Sequence, residues 1–394
     1  MNSKETFLKH LAQTSPSPLT IEVSHAEGSY IFDKSGKKYF DLISGIAVTN
    51  IGHRHPKVVK AIKDQLDQYM HVMAYGEFIQ TPQNGLGAEL AKLLPESLNC
   101  SYFVNSGTEA IEGALKLAKR VTGRTEIISC YKSYHGSTHG SLSVSGNETK
   151  KYRFRPLLPD VKFIQFNQLK DLDMITEKTA AVLIEPIQGD AGVRIGSQDF
   201  LEALRNKCAA TGAQLIFDEI QTGIGRTGKM FAFEHYGVVP DILALAKGLG
   251  GGMPIGAFIS SHEKMNLFTH DPILGHITTF GGHPVNCAAA LSNLQVIQEE
   301  KLLDQVEEKG QLLEATISHP SIIEIRRKGL MLAVEFENAD LVQKIVLNCL
   351  EKGIITFWFL SCPESFRLAP PINISQADIV QAGKLIKEAI EESI

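Results

Sequence analysis

Two stretches of the sequence end in residue types that can do chemistry together. The apolar run 215–217 ends in two carboxylates, Asp218 and Glu219, and the apolar run 241–246 ends in a single lysine, Lys247. Short apolar runs bounded by turn residues are typical of buried strands in a parallel sheet, and the ligands of such sheets gather beyond the carboxyl ends of the strands. We therefore expect an acid and an amine at the same edge of one sheet.

An acid and a lysine at a sheet edge have more than one interpretation. A salt bridge is common in such a place and stabilises the fold little when it is exposed. The same two groups also hold pyridoxal phosphate, whose aldehyde condenses with a lysine amine while a carboxylate keeps the pyridine nitrogen protonated. The two residues alone do not decide between these interpretations, so the surrounding sequence has to.

A predicted junction between a strand and a helix carries groups that suit an anion. The apolar stretch 101–104 is predicted to be a strand, and the apolar spacing becomes helical after Ser106, Gly107 and Thr108. Free N–H groups and the helix dipole at such a position favour a phosphate. Ser and Thr also cap helices without any ligand. The phosphate becomes the favoured interpretation because the same chain supplies a lysine and an acid at a sheet edge.

The central stretch as a whole resembles a known family. Segments 218–228, 240–242 and 247–252 are similar, in order and in residue type, to the signature of the class III pyridoxal-phosphate aminotransferases. That family includes acetylornithine, ornithine and 4-aminobutyrate aminotransferases, and the similarity extends over nearly the whole chain. The resemblance implies an α/β protein of fold type I, with a mostly parallel central sheet in a large domain and a smaller α/β domain. It also implies pyridoxal 5'-phosphate as the cofactor.

The resemblance further implies a role for each motif. Lys247 is expected to bind the cofactor aldehyde and to act as catalytic base and acid, while Asp218 pairs with the pyridine nitrogen. Tyr134 resembles the aromatic residue that stacks on the cofactor ring, although an ordinary buried tyrosine is the alternative. Thr279 matches the residue that reaches the phosphate of a partner subunit, which implies a homodimer with shared active sites. The complete expected cofactor set is Ser106, Gly107, Thr108, Tyr134, His135, Glu185, Asp218, Gln221, Lys247 and Thr279.

The substrate site is expected to contain Arg367, Asp190, Ser137 and Ile46. By resemblance, Arg367 binds the α-carboxylate, and Asp190 replaces a glutamate that pairs with this arginine in relatives. Acetylornithine and 4-aminobutyrate aminotransferases carry a second arginine directly after their aromatic-His-Gly triplet, where this chain has Ser137. Because a serine makes no bidentate pair with a carboxylate, we expect a donor that depends less on a second carboxylate. Ile46 belongs to a segment that resembles the one entering the active site from the N-terminal side.

Three other patterns resemble nucleotide-binding or metal-binding motifs, but the sequence around each of them argues against that function. Residues 223–228 fit the dinucleotide fingerprint Gly-x-Gly-x-x-Gly, and 223–229 nearly fit a P-loop, although Met230 stands where Ser or Thr is required. Neither motif lies directly between a strand and a helix, as phosphate binding requires. His53 and His55 have no acidic residue close by in the sequence and precede a proline turn, so we expect no metal.

Composition bounds the remaining properties. A chain of 394 residues, 43% hydrophobic and 21% charged, is typical of a globular protein with two core-bearing domains. A net charge of −5 argues against nucleic-acid binding, and six scattered cysteines indicate reduced thiols. No apolar run approaches the roughly 20 residues of a membrane span. We expect a cytoplasmic protein with an N-terminal arm and hairpin (1–45) that joins the small domain, a large cofactor-binding domain (46–285) and a C-terminal small domain (286–394).

These observations predict an aminotransferase that moves an amino group from an amino acid or ω-amine to a 2-oxo acid, either 2-oxoglutarate or pyruvate. An aminomutase or a decarboxylase on the same scaffold is the alternative, because the fate of the carbanion depends on how the substrate is oriented and not on Lys247. A non-catalytic protein with this fold is expected to have lost Lys247 or Asp218, and both are present.

Overall fold

The computed structural model describes residues 2–74 and 76–394. Its α-helices are α1 Ser3–His10, α2 Ser44–Ala47, α3 Pro56–Gln68, α4 Thr81–Leu93, α5 Gly107–Thr122, α6 His139–Val144, α7 Gln198–Thr211, α8 His262–Met265, α9 Pro284–Glu299, α10 Val306–Ile317, α11 Ala339–Glu351 and α12 Gln376–Glu391. Its strands are β1 Val23–Glu27, β2 Tyr30–Asp33, β3 Lys38–Asp41, β4 Cys100–Val104, β5 Glu126–Cys130, β6 Val161–Ile164, β7 Thr179–Ile184, β8 Ile187–Gln188, β9 Arg194–Ile195, β10 Gln214–Asp218, β11 Ile242–Leu245, β12 Gly256–Ser260, β13 Glu324–Lys328, β14 Met331–Glu335, β15 Ile354–Ile355, β16 Phe357–Trp358 and β17 Ser365–Leu368.

A seven-stranded sheet in the order β4-β12-β11-β10-β7-β5-β6 forms the centre of the molecule. β12 runs antiparallel to both of its neighbours, and the other adjacent pairs are parallel. The expectation of a mostly parallel central sheet is therefore confirmed. The carboxyl ends of β4, β5, β7, β10 and β11 lie at one edge, so the polar residues that follow these strands meet there.

The central strand β10 shows why the strands of this sheet have uninterrupted apolar sequences. Leu215 and Phe217 pack into the same core as Leu204 of α7, whereas Ile216 faces the core that contains Ala114 of α5. With a helix on each face of the sheet, no position of β10 is left to solvent, and all five of its residues are buried.

Two four-stranded sheets accompany the central one in the described residues, and β8 and β9 form a separate two-stranded sheet. An antiparallel sheet in the order β13-β14-β17-β16 lies in the C-terminal part of the chain, together with α10, α11 and α12. The predicted hairpin is present as β2 and β3, with Tyr30 opposite Phe40, and β1 precedes it in the same sheet. The last strand of that N-terminal sheet is β15, which pairs with β3 in parallel. The division into domains at residues 45 and 285 stays a prediction.

The mostly apolar segment 354–359 is divided between two sheets. β15 joins the N-terminal sheet and β16 joins the C-terminal one. Thr356 lies between them, and its buried side chain donates a hydrogen bond to the backbone oxygen of Arg367 at 2.6 Å. Phe357 and Trp358 are only half-buried, and the apolar sequence contains no information about which neighbour each residue pairs with.

The short element α2, residues 44–47, is a left-handed turn and not a right-handed α-helix, which its sequence does not suggest. Its four residues have φ angles of +48°, +59°, +66° and +60°, so they form one left-handed turn, although only Gly45 is a glycine. L-residues pay a steric cost in this conformation. The Ser44 side chain donates a hydrogen bond to the backbone oxygen of Ala369 at 2.7 Å, which holds the start of the turn in place.

In the described part of the chain, every helix is too short or too polar to cross a membrane.

Candidate active site

A cavity of about 480 Å³ opens at the carboxyl edge of the central sheet. Nine of the ten residues expected to bind the cofactor line it, and Thr279 does not. Those nine are Ser106, Gly107, Thr108, Tyr134, His135, Glu185, Asp218, Gln221 and Lys247. Ser137, expected to contact substrate, lines the cavity as well. The volume lies within the range of about 300–1,000 Å³ that is usual for sites of small molecules and cofactors.

Asp218 is the buried end of β10, and both of its carboxylate oxygens have partners. Oδ2 lies 2.7 Å from Nδ1 of His135, and Oδ1 accepts the N–H of Ile220 at 3.0 Å. The other imidazole nitrogen, Nε2, lies 3.3 Å from the Ser129 hydroxyl on β5. His135 is thus held between two strands of the sheet, and it fixes the direction in which the carboxylate points.

Glu185 is a second buried carboxyl group in the cavity wall. Its two oxygens accept the N–H groups of Tyr134, at 3.2 Å, and Gly189, at 3.0 Å. Burial raises the pKa of Glu185 to about 7, the charge of Asp218 adds to that increase, and His135 opposes it. Glu185 therefore ties together the loops that follow β5 and β7.

Lys247 enters the cavity from the turn after β11, where its own φ angle is +43°. Burial lowers the pKa of its amine, and the negative charge of Asp218 opposes that shift. None of the described residues accepts a hydrogen bond from its Nζ or forms a salt bridge with it. A lowered pKa enlarges the neutral fraction of an amine, and the neutral amine is the nucleophile.

The junction between β4 and α5 is both a helix cap and a wall of the cavity. The Ser106 hydroxyl accepts the N–H of Glu109 at 3.3 Å and so caps the helix. Gly107 and Thr108, in the first turn of this helix, also line the cavity. The Thr108 hydroxyl lies 2.7 Å from that of Thr138. Capping and anion binding are therefore compatible here, because they use different groups of the same turn.

The Tyr134 ring lies at the mouth of the cavity and is 42% exposed. The alternative of an ordinary buried tyrosine is therefore wrong. Its hydroxyl lies 3.4 Å from that of Ser137. A flat ring open to the cavity fits the stacking role expected for it.

These groups together fit pyridoxal phosphate. A single cavity contains an amine without a partner among the described residues, a buried carboxylate whose direction is fixed, a helix N-terminus and an open aromatic ring. Each of these groups matches the chemistry of a different part of that cofactor: its aldehyde, its ring nitrogen, its phosphate and its ring face.

Four predicted residues lie outside the cavity. Thr279 is exposed, and Ile46 sits on the left-handed turn, two residues before Val48, which does line the cavity. Arg367 and Asp190 are buried and paired, with Nη2 of the arginine 3.1 Å from Oδ1 of the aspartate.

Several residues of the site were not predicted. Val48, Met253, Pro254 and Ile255 give the cavity an apolar wall, and Ser129 positions His135. The run 253–255 directly follows the glycines after the lysine, so its position in the chain was a usable signal. Ser129 carries no such signal, because a serine within an apolar strand is ordinary.

The expectation that His53 lacks an acidic partner is wrong. Its Nε2 lies 2.8 Å from Oδ2 of Asp41, which is buried and comes from the end of β3. The two residues are twelve positions apart in the chain. They meet because the backbones of Gly28 and His53 form a β-bridge.

One further group of side chains has the spacing of a metal site. Glu335, Cys362 and Glu364 place their ligand atoms within 4.8 Å of one another. The Arg326 guanidinium already pairs with Glu335 and lies 3.8 Å from the Cys362 sulfur. The Arg326 guanidinium therefore already supplies the positive charge that a metal ion would bring to these three side chains.

Residues 223–228 form consecutive turns after β10, and a short 3₁₀ helix at Ala232–His235 follows them. The strand and helix that a nucleotide motif requires on either side are not adjacent here. The glycines instead allow the chain to turn tightly, with positive φ at Gly225 and Gly228.

The family model for class-III aminotransferases matches residues 11–390. The chain is 42% identical to an acetylornithine aminotransferase of Methanocaldococcus jannaschii over 377 residues, which cover 92% of this chain and 91% of that one. It is 36% identical to a [LysW]-aminoadipate semialdehyde/glutamate semialdehyde transaminase of Sulfurisphaera tokodaii, with 95% of each chain covered. The ornithine aminotransferase of Toxoplasma gondii, solved with partial occupancy of PLP at its active site, superposes with a TM-score of 0.91 at 28% identity, covering 99% of this chain and 93% of that chain. The family and the solved structures that this chain resembles therefore imply pyridoxal phosphate as the cofactor.

Glu219, next to Asp218, makes the stability of the site depend on pH. Its buried carboxyl group accepts the N–H groups of Ala232 and Phe233, and burial raises its pKa to about 8. A carboxyl group whose pKa is raised by folding stabilises the folded state fully below its ordinary pKa. That contribution is lost as the pH rises through the raised value.

We expect the free energy of unfolding, measured with urea, to fall from pH 5 to pH 9, and Glu219→Gln to reduce the slope by up to about 1.4 kcal/mol per pH unit. Part of the slope should remain in Glu219→Gln, because burial raises the pKa of Glu185 as well. The exposed Glu177→Gln is the control and should leave the slope unchanged. Equal slopes for wild type and Glu219→Gln contradict the prediction.

Proposed function

We propose that this chain, which belongs to the class-III aminotransferase family and is an aminotransferase, holds pyridoxal 5'-phosphate in the cavity at the sheet edge, with Lys247 and Asp218 as its catalytic residues. The observation that carries the proposal is the Lys247 amine, which has no partner among the described residues and shares one cavity with the oriented carboxylate of Asp218. The reaction is transfer of an amino group from an amino acid or ω-amine donor to a 2-oxo acid.

When bound, pyridoxal phosphate supplies an aldehyde that bonds primary amines and a protonated ring that accepts electron density. Lys247 provides the amine for that bond. With its amine free, Lys247 would act as the general base that takes a proton from the amine-bearing carbon of the donor. It would act as the general acid that delivers a proton to the carbon that receives the amino group in the second half of the reaction. A pKa lowered by burial enlarges the neutral fraction of this amine, which is the form that accepts a proton.

Asp218 provides the charge that holds a protonated ring nitrogen in place. Because its carboxylate is buried and fixed by His135 and Ile220, it does not have to reorient during the reaction. Gln221 also lines the cavity, and its amide is proposed to donate a hydrogen bond to a ring hydroxyl. The phosphate is assigned to the first turn of α5, at Ser106, Gly107 and Thr108, where N–H groups and the helix dipole favour an anion.

Arg367 is proposed to bind the carboxylate of the 2-oxo acid. Its guanidinium lies 4.4 Å from the centre of the Phe359 ring and pairs with Asp190. Asp190 is held in turn by the N–H of Leu360 at 3.1 Å and by the Ser361 hydroxyl at 3.0 Å. A substrate carboxylate therefore competes with an anchored aspartate, which keeps Arg367 compensated when no substrate is bound.

The donor is proposed to carry an uncharged or apolar group in place of a second carboxylate. Beside Ser137, the outer wall consists of Val48, Met253, Pro254 and Ile255. A carboxylate buried there meets no arginine among the cavity residues. The relatives named as acetylornithine aminotransferases do not decide the donor, because this chain has Ser137 at the position that matters.

A homodimer with shared sites is the proposed assembly. Thr279 lies between Ile277 and Phe280, which are 51% and 55% exposed, and Ile79 is 92% exposed. Large apolar side chains exposed to this degree are typical of an interface. A cytoplasmic location also belongs to the proposal, because the described cysteines are free thiols, as in a reducing compartment.

The first prediction of the proposed function concerns Lys247. Lys247→Ala should lower the transamination rate by at least about 10³-fold, since the nucleophile and the proton carrier are lost together. Borohydride treatment with pyridoxal phosphate should attach the cofactor to the wild-type peptide that contains Lys247 and leave the variant unlabelled, as read by mass spectrometry. The exposed Lys229→Ala is the control. A turnover number near the wild-type value in Lys247→Ala would contradict the assignment of Lys247 as a catalytic residue.

The second prediction tests whether Thr279 acts across the interface. Homodimers of Thr279→Ala should retain the cofactor less well, and homodimers of Lys247→Ala should be inactive. A mixed dimer of the two variants then contains one site with both defects and one site with neither. Its activity should recover to about half of the wild-type activity per dimer. If Thr279 served its own chain, each site would have one defect and mixing would restore nothing.

The third prediction concerns the donor. Ser137→Arg should raise kcat/KM for N-acetylornithine by about tenfold or more, through a charged bidentate contact, while leaving a simple ω-diamine little changed. Ser137→Lys is the matched control, since it adds charge without the planar fork. A wild-type enzyme that already prefers N-acetylornithine to every ω-amine contradicts the argument. Arg153 or Arg155 would then be the residue to test.

A further inference from the structure

Arg226 is the largest fully buried side chain of the described residues, and no carboxylate takes part in its hydrogen bonds. It belongs to the glycine motif 223–228, for which the nucleotide interpretation fails. Nη1 donates to the backbone oxygens of Leu330, at 3.0 Å, and Pro370, while Nη2 donates to Oδ1 of Asn50 at 2.6 Å. Nε is buried without a described partner. Burying a cation without a paired anion is costly, so this position needs an explanation beyond packing.

The three acceptors belong to three different parts of the chain. Leu330 precedes β14, and its N–H donates back to the Arg226 backbone oxygen at 3.1 Å. Pro370 follows β17, the strand that carries Arg367. Asn50 follows the left-handed turn 44–47, whose next residue, Val48, lines the cavity. One guanidinium therefore joins the N-terminal segment, the C-terminal sheet and the turn after β10.

Asn50 connects this junction to the catalytic lysine. Its Nδ2 donates to the backbone oxygen of Ile224 at 2.7 Å. A Cβ added at Gly248 would lie 2.3 Å from the same Nδ2, so the Asn50 side chain packs directly against the residue that follows Lys247. The backbone oxygen of Asn50 also accepts the N–H of Ile372 at 2.7 Å. The strained turn at Lys247 is thus supported from behind by Asn50, and Asn50 is held by Arg226.

The two strained segments of the site share this support. Lys247 has a positive φ angle, and so do all four residues of the turn 44–47. Strained backbone persists only where its surroundings hold it on several sides. Ser44 is bonded to Ala369, and Asn50 is bonded to Arg226 and Ile372, so both ends of the N-terminal segment are fixed to the region around 369–372.

We propose that Arg226 is a positioning residue for the transamination reaction. It fixes the lysine turn and the strand carrying Arg367 relative to each other, through Asn50 on one side and Pro370 on the other. An arginine suits this role because its rigid planar fork reaches acceptors in several directions, which a lysine ammonium on a flexible stem does not. The inference rests on the proposed roles of Lys247 and Arg367.

The chain offers a matched control for this inference. Lys309 on α10 is also buried, and its Nζ donates to the backbone oxygen of Ile372 at 3.0 Å, in the same segment 369–372. It makes no described hydrogen bond to Asn50 or to the lysine turn. Lys309→Met therefore loosens the C-terminal side of the junction alone, whereas Arg226→Met frees both sides.

The experiment compares Arg226→Met, Arg226→Lys, Asn50→Ala and Lys309→Met as full-length proteins. Borohydride labelling of Lys247 by added pyridoxal phosphate gives the rate at which the amine reacts. We expect that rate to fall about tenfold in both Arg226 variants and in Asn50→Ala, and to stay at the wild-type value in Lys309→Met. The turnover number should fall with it, and the KM of the 2-oxo acid should rise in the Arg226 variants. Combining Arg226→Met with Asn50→Ala should add no further loss in labelling, since both act through one contact.

Equal labelling rates for wild type, Asn50→Ala and Arg226→Lys, in proteins with wild-type melting temperatures, overturn the proposal. A loss of melting temperature without a loss of labelling rate shows a structural role only and overturns it too. If Arg226→Met does not fold, Asn50→Ala and Arg226→Lys still decide the question. Absence of Lys247 labelling in the wild type is a different result, because it contradicts the proposed function itself.

Discussion

The site depends on a carboxylate that is buried at the end of the central strand. Asp218 can remain there only because His135 and the N–H of Ile220 satisfy its two oxygens. His135 in turn depends on Ser129, and the loop that carries it is fixed by Glu185. The position of one charged group thus determines how the loops after three parallel strands are arranged around the cavity.

The same burial shifts the pKa values of Glu185 and Lys247 in opposite directions. Removal from water disfavours the charged form, so it raises the pKa of Glu185 to about 7 and lowers that of Lys247. The gap between the pKa values of these two groups is therefore smaller inside the cavity than in water. The lowered pKa also enlarges the neutral fraction of the Lys247 amine, which is the form that accepts a proton.

The sequence was sufficient for the parts of the structure that depend on local pattern. Uninterrupted apolar runs predicted the buried strands, and the family resemblance added specific residues in the segments that follow them. Nine of the residues expected from these two sources share one cavity. Parts that depend on distant pairing were not predictable. The contacts of Arg226 come from residues 50, 330 and 370, and the partner of His53 comes from a neighbouring strand. The left-handed turn 44–47 is held by Ala369, and no local pattern indicates that contact.

The pairing of β15 with β3 has a consequence for how the chain is made. Ile354 lies opposite Phe40, so the N-terminal sheet receives its last strand only after the long segment 41–353 between them has been synthesised. Until then, one edge of β3 is open to other chains emerging from ribosomes. Contacts between such distant residues also slow folding. The order of synthesis therefore leaves the N-terminal sheet among the last to close.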